Sequence, residues 1–309
     1  MGSIELTFET LKMEHLNALV KLYKSIFKKE VMPDYFLIKF GMELPNVKQS
    51  SMVVKDNGKV VGFFGAIHQQ TIKGSKRLNL MYACDFFLEE AYRGDGVFAR
   101  LYGQVLVNAK KNSVDHLYAF HSEQTYKVCK RLGWQDREGL SRFHIVGSSA
   151  LVSKALNKAG FNDWKLNILT QALKKYEIEI NDFEPSDPSK FVLDYDESFL
   201  AMKRFWKRFF VEIEGCRLWL KFDYRITVGY IHFIDDANIE KMISELQRIA
   251  KKSYIHDVVF HIHPTNKAHD KLKQFLEARP SFKMSCLTLE SDSESFTELS
   301  FHFMDGDLF

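Results

Sequence analysis

Residues 51–70, SMVVKDNGKVVGFFGAIHQQ, leave the chain little conformational choice. Two runs rich in Val, Phe and Ile flank Asp56-Asn57-Gly58, and Asn-Gly is the pair that accepts positive φ in a two-residue hairpin turn. The spacing predicts two antiparallel strands, and KRLNLMYACDFFL (76–88) supplies a third. Upstream, IELTFETL alternates apolar and polar residues as a half-buried strand does. Leu16, Leu19, Val20, Leu22, Tyr23 and Phe27 then fall at helical spacing, as do Tyr35, Phe36, Ile38 and Phe40. Downstream, Val97, Phe98, Leu101, Val105 and Leu106 mark a helix, and HLYAFH marks a short strand. Ser122 reads as the N-cap of a further helix with Thr125, Tyr126, Cys129 and Leu132 on its inner face. Gly133 stops that helix, and Trp134 leads into the strand RFHIVG. The expected class is α+β, with a mixed, mostly antiparallel central sheet flanked by helices.

The remaining half predicts helices over LVSKALNKA and WKLNILTQALKKY, then a linker at EPSDPS (184–189), which holds two of the 6 prolines. A helix is expected through FLAMKRFWKRFF, amphipathic with a solvated Lys/Arg face. Then come the strand TVGYIHF, the helix ANIEKMISELQRIAKK, the strand HDVVFHIH and the helix NKAHDKLKQFLEA. The strands SFKMSCLTL and FTELSFHF close the chain. This order repeats the back half of the first unit, so two similar units are expected. The corresponding domains are 1–148 and 191–309, joined by a helical connector over 149–190. At 309 residues and 46% hydrophobic composition, the chain can build two cores.

Charged residues make up 27% and the formal net charge is +3, which lacks the basic excess of a nucleic-acid or membrane-surface protein. Cys84, Cys129, Cys216 and Cys286 form no CxxC pair, so neither structural zinc nor a disulfide scaffold is expected. The N-terminus lacks a signal-peptide core, and no segment reaches ~18 uninterrupted apolar residues. These features together read as a cytoplasmic protein without a membrane or nucleic-acid partner. His261 and His263 share a strand face, with His256 and His269 nearby. No third ligand stands at fitting spacing, so no metal is expected.

The chemistry concentrates in 84–105, CDFFLEEAYRGDGVFARLYGQV. A strand passing into a helix through glycines leaves backbone N–H groups bare at the positive end of that helix. Glycine lets a phosphate approach, and Arg93 adds charge. No GxxxxGK[ST] is present, and Arg-Gly-Asp-Gly is too short for a dinucleotide fingerprint.

EEAYRGDGVFARL resembles the acetyl-CoA loop of the GNAT acyltransferase superfamily, whose signature runs Gln/Arg-x-x-Gly-x-Gly/Ala. Arg93 and Gly96 match its first two fixed positions, and Phe98 departs from the third. HSEQTYKVCKRLGW is similar to the second landmark, an Asn-led helix ending in Gly-Phe, with Ser122 at the Asn position and Gly133-Trp134 at the end. The resemblance implies acetyl-CoA, or another acyl-CoA, as co-substrate and no metal. Pantetheine would pair with the backbone of Phe86, Phe87 and Leu88. The pyrophosphate would sit on Arg93, Gly94, Asp95, Gly96, Val97 and Phe98, with Ser122 nearby. An amine would attack the thioester directly.

That reaction needs a base, an oxyanion donor and an acid for the departing thiolate. The N–H of Phe86 or Phe87 fits the oxyanion. Asp85, a carboxylate inside an apolar strand, is either a hydrogen-bonded structural group or the base; Tyr82, Glu90 and His121 are weaker candidates, and a water relay is open. The family's Tyr, four residues before the helix-ending Gly, is here Cys129, which leaves Tyr126 as the substitute acid. IDDAN, between TVGYIHF and its helix, has no glycine turn, which implies a degenerate second copy that shapes the acceptor site. An amino sugar or other small amine is the expected acceptor. A non-catalytic CoA-binding protein and a Fem-type aminoacyl transferase are the alternatives, and the glycine loop argues against the second.

Overall fold

The computed structural model describes residues 5–32, 34–94, 96–179, 189–203, 207–234, 238–289 and 296–306. Asp95 and the expected linker EPSDP (184–188) lie outside the described residues, as does most of IDDAN. The chain forms two compact units, Met1–Ala119 with Leu193–Phe205 and Cys286–Thr297, and Phe120–Val192 with Trp206–Ser285 and Glu298–Phe309. No described helix is long and apolar enough to cross a membrane.

The first unit starts with β1 (Leu6–Thr10), α1 (Leu16–Phe27) and α2 (Tyr35–Lys39). Then follow β2 (Met52–Asp56), β3 (Lys59–Lys73), β4 (Lys76–Leu88), α3 (Val97–Lys111) and β5 (His116–His121). The strands pair in the order β1-β2-β3-β4-β5. Asn57 and Gly58 take φ values of 47° and 81°, so the hairpin turn is the one its dipeptide encodes. β3 is almost continuously buried, as a central strand covered on both faces must be. On α1, Leu16, Leu19 and Leu22 face the core. On α3, Val97, Leu101 and Val105 do so together with Tyr102 and Ala109, whereas Leu106 is half-buried.

Two irregularities interrupt this sheet. Opposite Phe63–Gly65, β4 carries one residue too many: Phe63 faces Phe87, and Gly65 faces Cys84. The extra residue makes a β-bulge at Asp85–Phe86, with Asp85 at φ 48°. A Cβ on Gly65 would lie 2.7 Å from Phe40 Cζ and 2.8 Å from the Cys84 carbonyl oxygen. Gly65→Ala should therefore cost roughly 1–3 kcal/mol of stability, read as a lower urea midpoint; an unchanged midpoint would show that the bulge can give way. The second irregularity is the parallel ladder of β4 and β5. It pairs only Leu80–Tyr82 with His116–Tyr118, and among the described residues none of β5 is in register with Ala83–Leu88.

The second unit contains α4 (Glu123–Arg131), β6 (Gln135–Arg137), β7 (Ser141–Val146), α5 (Ala150–Lys158) and α6 (Asn162–Leu173). After β8 (Val192–Leu193) and α7 (Glu197–Met202) it resumes with β9 (Lys207–Ile213), β10 (Cys216–Phe222), β11 (Ile226–Phe233) and α8 (Ile239–Lys252). β12 (Asp257–Ile262), α9 (Lys267–Leu272), β13 (Arg279–Pro280) and β14 (Lys283–Thr288) complete the elements. Its sheet runs β13-β7-β12-β11-β10-β9. One face, with Phe209, Leu220, Ile226, Val228, Val258 and Phe260, packs on Leu169, Met242, Leu246, Ile249 and Leu272 of the helices.

Several expectations are corrected here. The helix through FLAMKRFWKRFF ends at Met202, and from Lys207 the chain is strand. Phe209, Val211 and Ile213 are buried at every second position, so cross-strand packing on β10 overrides the helical reading. Glu214 and Gly215, at φ 51° and 72°, form the hairpin turn between β9 and β10, which the sequence pattern did not flag. FTELSFHF is no strand but two 3-10 turns, Phe296–Glu298 and Phe303–Asp305, the latter fixed by Asp305 Oδ2 accepting from His302 N at 2.6 Å. The helix over NKAHDKLKQFLEA is shorter than expected, Lys267–Leu272. RFHIVG, placed after the first unit's last helix by the sequence, pairs with β12 in the second unit's sheet.

Candidate active site

The bulge places a carboxylate where β4 leaves β5. Asp85 Oδ2 accepts a hydrogen bond from Lys39 Nζ at 2.6 Å, and the two side chains are only 15% and 3% exposed. Lys39 also donates to the Tyr35 hydroxyl at 3.0 Å. Asp85 is thus hydrogen-bonded, and its charge is matched by a buried ammonium from α2. Lys39 escaped the sequence reading, although YFLIKF carried a signal. At helical spacing, Lys39 falls on the face of the buried Phe36 and Phe40, where a lysine needs a partner.

The glycine turn is tied to the β2–β3 hairpin. Glu89 N donates to Val61 O at 2.8 Å, Glu89 pairs with Lys59 at 2.6 Å, and the Tyr92 hydroxyl donates to Asp56 Oδ2 at 2.7 Å. That last bond holds the Tyr92 phenol at about 12, above its ordinary value. Arg93 is exposed and its Nε donates to Leu88 O at 3.2 Å. Gly94 and Gly96 have φ of 103° and 71°, and a Cβ on either would meet no atom within 4 Å. Gly96 is the N-cap of α3, which has no side-chain cap. The first-turn N–H groups, from Val97 and Phe98 onward, thus lie at the positive end of a 15-residue helix, where no intrahelical carbonyl can accept from them. An oxyanion can be held there by backbone, dipole and Arg93 together.

Phe86, Phe98 and Phe64 form an aromatic wall beside the turn, with ring centroids 4.3 Å apart for Phe64–Phe86 and 6.2 Å for Phe64–Phe98. Phe87 points the other way, edge-on to Tyr23 and Phe27 and against Phe63. Leu88 and Val97 are buried. Asp85, Phe86, Phe87, Leu88, Arg93, Gly94, Gly96, Val97 and Phe98 are thus gathered in the first unit.

Ser122, Tyr126 and Cys129 belong to the second. Ser122 caps α4, accepting from Thr125 N. Tyr126 is half-buried, with its ring under Lys283 Nζ at 4.4 Å; a hydrogen bond to Asp136 raises its phenol. Cys129 is 2% exposed, and burial pushes its thiol up to about 12, the behaviour of a core cysteine. Tyr82 is core, edge-on to Tyr118, and Glu90 is exposed. His121 is buried, its ring lowered to about 4, with Nε2 2.6 Å from Ser285 Oγ. His261 and His263 are bound to Ser281, Thr265 and Glu138 O.

Residues 16–134 match the acetyltransferase (GNAT) family. That span contains the bulge, the end of the β4–β5 ladder and the glycine turn. No curated protein matches the sequence. Among solved structures, the fold is similar to a GCN5-related N-acetyltransferase from Kribbella flavida, with TM-score 0.60 and 14% identity over 93% of this chain and 72% of that one. A GCN5-related N-acetyltransferase from Anabaena variabilis has TM-score 0.57 and 11% identity over 93% and 73%. Eis1 from Mycobacterium abscessus has TM-score 0.52 and 10% identity over 91% and 73%. At these identities the likeness speaks for the fold alone.

Proposed function

We propose that the chain is an acyl-CoA-dependent N-acyltransferase that moves an acetyl group from acetyl-CoA to an amine. The observation that carries this reading is the end of the β4–β5 ladder at Tyr82 and Tyr118, beside a bulge on one strand and an open glycine turn beyond it. Pantetheine would pair with the backbone of Phe86–Leu88 there. Arg93, Gly94, Gly96 and the N–H groups of Val97 and Phe98 would hold the pyrophosphate. Asp95, which belongs to the same turn by sequence, and Ser122 complete the proposed set.

In the reaction, the amine nitrogen bonds to the thioester carbon and the C–S bond breaks. The nitrogen's proton passes to Asp85, directly or through water, while Lys39 holds that carboxylate in place. Phe86, which the bulge takes out of register with β3, is the preferred oxyanion donor of the two N–H groups considered. Tyr126 is the candidate acid for the thiolate. Cys129 drops out, because a buried thiol at about 12 serves packing. Small amines, amino sugars among them, are the proposed acceptors.

The second unit is read as a degenerate GNAT-like copy. Its β10–β11 pair has a bulge at Gly229, β11 runs parallel to β12 over Ile226–Val228, and α8 follows. A second reading, a CoA-binding protein without turnover, draws on Cys129 and Ser122 standing where the family has Tyr and Asn.

Acetyl-CoA at about a hundredfold excess over its Kd should raise the melting temperature by roughly 5 °C. No shift at millimolar ligand would sink the CoA claim. Thiol release over a panel of amines separates enzyme from binder: binding without release would favour the second reading.

A further inference from the structure

Along the chain, His256 stands beside one acid and lacks a third metal ligand at fitting spacing. Strand pairing supplies that ligand from more than a hundred residues earlier. In the second unit, β7 and β12 run antiparallel, with Asp257 opposite Val146 and Val259 opposite His144. His144 and Asp257 are therefore diagonal neighbours on one face, within reach of each other's side chains. The two segments stay joined past the end of β7, as Gly147 N donates to His256 O at 2.7 Å and Ser148 N to Ile255 O at 2.8 Å. That extension holds His256 beside the pair.

Two imidazoles and a carboxylate converge there. His144 Nε2 donates to Asp257 Oδ1 at 2.7 Å, and His256 Nε2 lies 3.7 Å from the same oxygen. The donor atoms of all three residues lie within 4.8 Å of one another. A carbonyl oxygen can only accept, so His256 Nδ1, 2.7 Å from Ser148 O, carries the ring proton. In the neutral ring, Nε2 then presents a bare lone pair to the cluster. A ring N–H given to a backbone carbonyl is what fixes the tautomer and direction of a metal-binding histidine. A second group of this kind, Glu9, Glu14 and His15, has the reverse arrangement. There His15 Nδ1 accepts from Lys12 N at 3.1 Å, so Nε2 holds the proton and is no ligand. Lys55 also pairs with Glu9 at 2.9 Å.

A tetrahedral zinc ion, with nitrogen and oxygen ligands at about 2.0–2.1 Å, needs its ligand atoms roughly 3.3 Å apart. The 2.7 Å and 3.7 Å separations bracket that value, so small side-chain rotations complete the set. His144 is exposed, and His256 and Asp257 are half-buried, which leaves the fourth position to water. The opposing charge is Lys165, whose buried ammonium interacts with Asp257. Its bonds go to Ser153 Oγ at 3.1 Å and Asn157 Oδ1 at 2.6 Å, so it tempers the negative charge without occupying a ligand atom. We propose that His144, His256 and Asp257 bind Zn2+ and thereby clamp β7 to β12. On binding, the His144 proton leaves Nε2 for Nδ1 through solvent, Nε2 bonds to the ion, and nothing is oxidised or reduced. This site stands whether or not the first unit transfers an acyl group.

The test uses the full-length, tag-free protein, stripped with EDTA, dialysed free of it and titrated with zinc chloride by calorimetry. One site should appear, and zinc should raise the melting temperature. Magnesium chloride should do neither, since Mg2+ favours oxygen ligands in an octahedron. His144→Gln and His256→Gln should each weaken zinc binding at least about a hundredfold, the upper end of what losing a supporting bond alone costs. Asp257→Asn, nearly isosteric, should weaken it at least about tenfold, and it decides the matter where a histidine variant fails to fold. Glu14→Gln, in the other cluster, should bind as wild type does. Wild-type protein that takes up zinc only at millimolar concentration would overturn the proposal. So would full affinity in His144→Gln, His256→Gln and Asp257→Asn. A loss confined to Glu14→Gln would overturn it too, by moving the ion to the cluster at His15.

Discussion

Gly96→Glu should abolish the rise in melting temperature that acetyl-CoA gives the wild-type protein. The new side chain has room, since a Cβ at Gly96 meets no atom within 4 Å. At φ 71° it is strained, but one residue in the left-handed region costs only about 1–2 kcal/mol. The larger effect is electrostatic. The carboxylate would sit at the start of α3, which has no side-chain cap, and occupy the N–H groups and the positive dipole end proposed to hold the pyrophosphate. A hundredfold loss of acetyl-CoA affinity, ~2.7 kcal/mol, is expected by calorimetry. Gly96→Ala separates the contributions, because it carries the strain without the charge and should retain weakened binding. If Gly96→Glu binds as wild type does, the cofactor lies elsewhere.

The second large effect is on stability. Lys39→Met should lower the unfolding free energy by about 3–5 kcal/mol, because Asp85 then loses its charge partner in a largely buried position. Adding Asp85→Asn should recover much of that loss, since the amide needs no counter-ion. The urea midpoints of wild type, both single variants and the double variant form the cycle. A Lys39→Met cost below ~1 kcal/mol would mean that the pair is no more than a surface-like ion pair. Asp85→Asn should also cut acyl transfer if the carboxylate takes the amine's proton, and leave CoA binding intact.

The local elements were legible where a backbone preference sits in one or two residues. Asn57-Gly58 announces a hairpin because few other pairs accept its dihedrals, and both take positive φ. Gly94 and Gly96 announced an open turn at a strand–helix junction, and Ser122 announced a cap; each is found doing so. Of the candidate site, the whole backbone portion in Phe86–Phe98, apart from Asp95, was in view before any coordinates. The segment 199–210 misled because Phe199, Met202, Phe209 and Phe210 satisfy helical spacing nearly as well as the alternation that β9 adopts. Only the presence of β10 decides between the two periods.

What the sequence by itself determined is the set of short-range choices: where turns fall, which helices begin at a cap, and which glycines keep a turn clear. These depend on φ, ψ and neighbours within a few residues. The tertiary structure alone decided the rest. Lys39 reaches Asp85 across a separation of 46 residues. β7 pairs with a strand more than a hundred positions further on, and that register is what sets His144 beside Asp257. The reason is physical: a buried charge or strand edge accepts whichever distant partner completes it as the core closes, and local spacing carries no record of that choice.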